Sequence, residues 1–190
     1  VENLAVHIIL VHGMPQPLCG DQNAVLPGVV NLLRGVKRGD TVQAVVAVTV
    51  DHIPFVWKRV AALDKLRRQA DFEPLAMAFK RVVNILKKAD RDPFRGGAGE
   101  VNAGLFEKDC EGALLDAYRG IKKSVGTKVH EGAFYEALLE IAELKSPVDA
   151  FFDGVMVMAE DEQVRENRMA LLARLAGLFT GIADFSRLST

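Results

Sequence analysis

The chain has 190 residues, 49% of them apolar and 26% charged, with a formal net charge of −1. That is ordinary for a soluble globular protein with one sizeable core, or one domain plus part of a neighbour, and it excludes collagenous and disordered classes. The near-neutral sum conceals an asymmetry: Lys58 to Arg95 holds eleven Lys or Arg against five Asp or Glu, and the rest of the chain thirteen against twenty, so positive charge is local and able to steer an anionic ligand. Cys19 and Cys110 stand far apart with no CxxC and no histidine cluster, so neither a disulfide framework nor a zinc site is expected, and a reducing cytoplasm is the default. No apolar run approaches the roughly eighteen residues of a membrane span, and no signal peptide opens the chain. Because it begins at Val1 rather than Met, we expect a piece of a longer protein.

In chain order, Leu4 to His12 is a β-branched run followed at once by Gly13, Pro15 and Pro17, the pattern of a short strand or buried turn. The string IILVHGMPQP also looks like the His-Gly loop that opens α/β-hydrolases. That fold requires a G-x-S-x-G elbow and several more strands, and the sequence supplies neither. His7 and His12 lack a carboxylate at ligand spacing, and His52 and His130 belong to no catalytic motif, so no catalytic residue and no metal ligand is assigned. Val29–Leu33 and Val42–Val50 read as two short helices around Gly35, Gly39 and Asp40, with Asp40 or Thr41 as N-cap of the second. Pro54 sits near the start of a further helix with Phe55, Val56, Val60, Leu63 and Leu66 inward, ending before Asp71.

The stretch from Phe72 to Arg91 has the strongest period. Phe72, Leu75, Ala76, Phe79, Val82, Val83, Leu86 and Ala89 recur every three or four residues, while Lys80, Asn84, Lys87, Lys88 and Arg91 group on the other side. Such a stripe is either a solvated face that keeps a helix soluble or a contact surface for an anion. The glycine-rich loop after it lacks GxxxxGK[ST] and is a connector. Helices follow at Leu105–Val125 and Val129–Leu144, with Lys122, Lys123 and Lys128 crowding the join; Ser146 reads as an N-cap with Pro147 at the first helical position and Asp149 completing a capping-box-like start; the last long helix opens in the acidic cluster Glu160, Asp161 and Glu162.

The segment VDAFFDGVMVMAEDEQVRENRMALLARLAGLFTGIADFSRL closely resembles the C-terminal end of the β chain of bacterial tetrameric glycyl-tRNA synthetase, and FKRVVNILKKA and NAGLFEKDCEGALLDAY resemble blocks of that chain in the same order. The resemblance runs from about Asp40 to Leu188. It implies an all-α bundle, the anticodon-binding domain shared with arginyl-tRNA synthetase, over residues 40–190, after an irregular segment, 1–39, that is either the end of a preceding domain or sequence foreign to the family. The first thirty residues and the glycine-rich loop at Arg95–Gly99 depart from the family pattern.

With that resemblance, Lys80, Arg81, Lys87, Lys88 and Arg91 become candidates for tRNA phosphates and Asn84 for a base edge. Asp161, Arg165 and Arg168 match the family motif and read as a helix start with its local charge pairs. The resemblance further implies a chain that grips the anticodon arm of glycine tRNA and is itself non-catalytic, with no cofactor of its own. By the same resemblance, ATP and magnesium would be used by a cytoplasmic heterotetramer with the α subunit. The competing reading is a protein-interaction bundle whose basic face docks an acidic partner or the α subunit.

Overall fold

The computed structural model describes residues 39–48, 53–89 and 99–189. The possible strand at Leu4–His12, the helix expected at Val29–Leu33, Arg91 and most of the glycine-rich loop lie outside the described residues. Within them the elements are α1 (Gly39–Val46), α2 (Ile53–Leu66), α3 (Phe72–Lys88), α4 (Asp109–Glu131), α5 (Phe134–Ala142), α6 (Lys145–Gly154) and α7 (Glu162–Thr180), with 3₁₀ turns at Ala103–Leu105 and Phe185–Arg187. There is no strand among the described residues, so the architecture is the all-α bundle expected.

α3 buries the face its period predicts: Phe72, Leu75, Ala76, Phe79, Val82, Val83 and Leu86 are all inside. Each of its larger apolar side chains contributes about 1.5–3 kcal/mol of transfer free energy. Phe79 meets Phe179 of α7 with ring centroids 4.8 Å apart and Phe185 of the C-terminal turn at 5.6 Å, while Phe179 and Phe185 are 5.4 Å apart. This trio locks α3, α7 and the chain end around one point, and edge-on ring contacts add to the area term. The valine-rich α1 is helical, as expected. Val42, Ala44 and Val45 are fully buried, which outweighs valine's weak helix preference. Asp40 ties α1 to the rest: it accepts from Arg67, in the turn just after α2, at 2.7 Å, from the Ser189 backbone N–H at 2.9 Å and from the Ser189 hydroxyl. Burial pushes its carboxyl up, but these donors outweigh burial and hold it well below the usual range.

Several boundaries differ from the sequence pattern. α4 does not end at Val125; it runs through Gly126 to Glu131, and the break falls at Gly132, whose φ of 75° is the left-handed conformation glycine adopts at low cost. Ala133 N–H then donates to the Lys128 carbonyl at 2.8 Å, closing the helix end. α4 begins at Asp109, after a 3₁₀ turn capped by Asn102, rather than at Leu105. α6 begins one residue before Ser146, which therefore caps nothing; Asp149 instead accepts from Lys145, one turn back, at 2.6 Å. Asp161 is the N-cap expected of it, accepting the Val164 N–H at 3.0 Å.

The local pairing expected of Arg168 is replaced by a long-range one. Its side chain is buried and donates to Glu111 of α4 through Nε at 2.8 Å, to Glu107 through Nη2 at 2.7 Å and to the Met156 carbonyl through Nη1 at 3.0 Å. Glu111, fully buried, also accepts the backbone N–H groups of Glu107 and Lys108 and so caps α4. Burial raises its carboxyl pKa, but Arg168 and the two backbone donors prevail and hold it below its ordinary value. A depressed carboxyl contributes stability that is present above its unfolded value and lost as pH falls through the folded one, so this contribution weakens below roughly pH 4. Removing the guanidinium leaves a buried carboxylate uncompensated, at a cost of about 3–5 kcal/mol. Urea unfolding should therefore show Arg168→Met strongly destabilised at pH 7, with the deficit shrinking toward pH 4.5 as Glu111 takes up a proton; a pH-independent deficit would mean that charge burial is not its cause.

Candidate nucleic-acid interface

The face of α3 turned from the core carries the predicted stripe. Lys80 is half-buried, while Arg81, Asn84, Lys87 and Lys88 are exposed. All five fall within about one third of the helix circumference, as residues three, four and seven apart must. Arg91 lies beyond the end of α3, outside the described residues.

The environments of these side chains separate their roles. Arg81 lays its guanidinium over the ring of Phe152 in α6, 4.1 Å from the centroid. That contact pre-orients a planar cation whose outer face is open to stacking. Asn84 and Lys88 have no hydrogen-bond or ion-pair partner among the described residues. Lys87 is committed: its ammonium donates to the Ser186 hydroxyl at 2.8 Å and lies 3.6 Å from Oδ2 of Asp184. The nearly buried Asp184 carboxylate also accepts from Arg187 Nε on that same oxygen at 3.2 Å, and from the Ser186 N–H and hydroxyl on Oδ1 at 3.0 and 2.6 Å. One carboxylate thus gathers two cations, Lys87 and Arg187, and brings the C-terminal turn alongside α3.

Two residues at this surface were missed from the sequence. Arg187 reaches it only through the turn that Asp184 and Ser186 build, and the legible signal was the Asp-x-Ser spacing of a side-chain-closed turn. Met77, 57% exposed, stands one helical turn before Arg81 and two before Asn84, so it belongs to the polar face by period although its chemistry is apolar. The ensemble is a row of cations, one of them stacked, around a central amide and a soft apolar side chain. Such a surface suits phosphates at its edges and unpaired bases at its middle, since single-stranded RNA is recognised by stacking on planar groups and by hydrogen bonds to base edges. Among the described residues no group of His, Cys, Asp and Glu is arranged to hold a metal ion, and no helix is long and apolar enough to cross a membrane.

Comparison with known proteins identifies the family of the chain. Residues 75–182 match the model of the DALR anticodon binding domain, a span that contains α3 from Leu75 onward and all of α4 to α7. The chain is 55% identical over 150 residues to the glycine–tRNA ligase beta subunit of Desulfatibacillum aliphaticivorans, covering 79% of this chain and 21% of the relative. It is 47% identical over 160 residues to the subunit of the same name from Geobacter metallireducens, covering 84% and 22% respectively. The chain therefore spans about a fifth of the length of these curated relatives. With more than half of its residues inside the matched span, the chain belongs to the DALR anticodon-binding domain family.

Proposed function

We propose that this chain is the anticodon-binding domain of a glycyl-tRNA synthetase β subunit. It holds the anticodon arm of glycine tRNA while ATP-dependent aminoacylation takes place elsewhere, on a cytoplasmic assembly with the α subunit. The observation that carries the proposal is the family match across residues 75–182, which takes in the stripe from Lys80 to Lys88. In this reading Lys80, Lys88 and Arg91 face phosphates, Arg81 stacks on a base or meets a phosphate, and Asn84 reads a base edge. Lys87 shares its charge between Asp184 and the RNA, with Arg187 beside it. The competing module that docks an acidic protein draws no support from the relatives, whose names describe a tRNA ligase.

Filter binding of transcribed glycine tRNA tests the assignment. Arg81→Ala with Lys88→Ala should weaken binding and flatten the log–log salt dependence by about 0.7 for each phosphate no longer neutralised, with a stability loss limited to the roughly 0.5–1 kcal/mol of the Arg81–Phe152 contact. An unaltered affinity and slope would make the stripe ordinary surface. Lys87→Ala is expected to behave differently, because it removes the donor to the Ser186 hydroxyl and one of the two cations beside the nearly buried Asp184: it should also lower stability, by about 1 kcal/mol.

Asn84→Ala separates base reading from backbone contact. If the amide reads a base, cognate tRNA should lose about 1–3 kcal/mol of binding while a tRNA with a changed anticodon loses little, and the salt slope should stay put. Equal weakening for every anticodon would remove Asn84 from the recognition set.

A further inference from the structure

A second basic surface lies on α4, outside the candidate interface on α3. Arg119, Lys122, Lys123, Gly126, Thr127 and His130 line a shallow hollow of about 610 Å³ along one side of that helix. Their spacing of three, four, seven, eight and eleven residues puts them on a single face. From Arg119 to His130 that face runs roughly 16 Å, long enough to follow several phosphates of one strand.

The arrangement is unfavourable for the helix itself. Arg119 stands three and four residues from Lys122 and Lys123, so like charges repel across the spacing at which opposite charges would stabilise. Asp116 lies 3.5 Å from Arg119, and neither lysine has an ion-pair partner among the described residues. Lys122 lies over the ring of Tyr118, 5.7 Å from its centroid, a contact that leaves its charge unneutralised. Gly126 weakens the helix further, as any interior glycine does. A Cβ built on it meets nothing within 4 Å, so no packing contact demands glycine there. What glycine provides is bare backbone on the floor of a cationic hollow, where a bulky anion can approach closely. Lys128 marks the contrast: it leaves this face and pairs with Glu140, which also accepts from Ser124 at 2.9 Å.

We propose that this face of α4 is a second RNA contact, binding phosphodiester groups of the strand without regard to base sequence. It carries no Asn or Gln amide, and of its two planar groups Arg119 is paired with Asp116 and the exposed His130 stands at one end, so its main contribution is charge and shape. The proposal rests on the assignment of this chain as a tRNA-binding domain, and it adds a surface that the α3 stripe does not include.

The test compares two α4 variants of the 190-residue chain, Lys122→Ala/Lys123→Ala and Gly126→Glu, with the parent and with Arg81→Ala/Lys88→Ala. Gly126→Glu places a carboxylate in the hollow and improves helix propensity, so a melting temperature at or above the parent's would show that weaker binding does not come from impaired folding. The probes are transcribed glycine tRNA and the same tRNA with a changed anticodon. Both α4 variants should weaken both RNAs by the same factor, roughly five- to tenfold near 0.1 M salt, and the salt slope should become shallower by about 0.7–0.9 for each phosphate left without its cation. Unchanged affinity and slope in the α4 variants, with weaker binding in the α3 variant, would overturn this inference alone. No retention of either RNA by the parent would overturn it together with the proposed function. A loss confined to one anticodon would make the face a base reader, and unchanged RNA binding with impaired retention of a polyglutamate probe would reassign it to an acidic protein segment; either result refutes the proposal.

Discussion

The guanidinium of Arg168 is the constraint on which the described bundle depends. It sits inside the protein and directs its donors at three separate pieces of chain: the start of α4, the approach to α4 at Glu107, and the link from α6 to α7 at Met156. Glu111 is engaged on both oxygens, by Arg168 and by the N–H groups of Glu107 and Lys108, so the buried carboxylate is satisfied only while α4 starts where it does. Asn167 beside it exchanges two hydrogen bonds with the backbone of Asn102, at 2.7 and 2.9 Å, and fixes the chain ahead of that start. Buried ion pairs add little stability over an apolar replacement, but breaking one is severe, and their value lies in admitting one arrangement.

This network also explains the character of α7. Asn167 to Leu172 are six consecutive buried residues, two of them polar, so this middle stretch of the helix is enclosed, while Glu162, Gln163 and Glu166 before it and Gly177 after it are exposed. α3 and α4 pack against it and turn their other faces outward. A central helix held by polar links inside and aromatic rings at its C-terminal end makes a stiff support. The basic side chains of α3 and α4 then need only project from it, which keeps the ordering cost of binding to their own rotamers.

Much of this was legible where a single period governed a helix. The apolar positions of α3, the Asp161 cap and the helical state of the valine-rich α1 follow from spacing and local capping, because the forces responsible act within a few residues. What the pattern could not convey were partners distant in the chain. Arg168 looked like a member of local charge pairs, yet its carboxylate partner Glu111 is 57 residues away. Lys87 looked equivalent to Lys88, but only the fold brings Asp184 and Ser186 to one and not the other. The position of Ser146 suggested a cap because Ser-Pro often opens a helix; the chain instead turns tightly from α5 into α6 through Glu143 and Leu144, whose N–H groups donate to Glu140 and Ile141.

The misplaced end of α4 has the largest consequence for function. Had the helix stopped at Val125, Lys122 and Lys123 would occupy its last turn, where the dipole favours cations and accounts for them without a ligand. The helix instead continues to Glu131, and the dipole's favour passes to Lys128 and His130 in the true last turn. Lys122 and Lys123 become mid-helix residues, two turns from the end and beyond the dipole's short range, clustered with Arg119 on one exposed face. Among the described residues Asp116 pairs with Arg119 and the Tyr118 ring lies under Lys122, but no carboxylate pairs with either lysine. Gly132, by taking the left-handed conformation that Gly126 does not, turns a helix-end pair of lysines into part of a mid-helix cluster with Arg119. The geometry of one glycine thus decides whether this charge is explained by the helix or must be explained by what the helix binds.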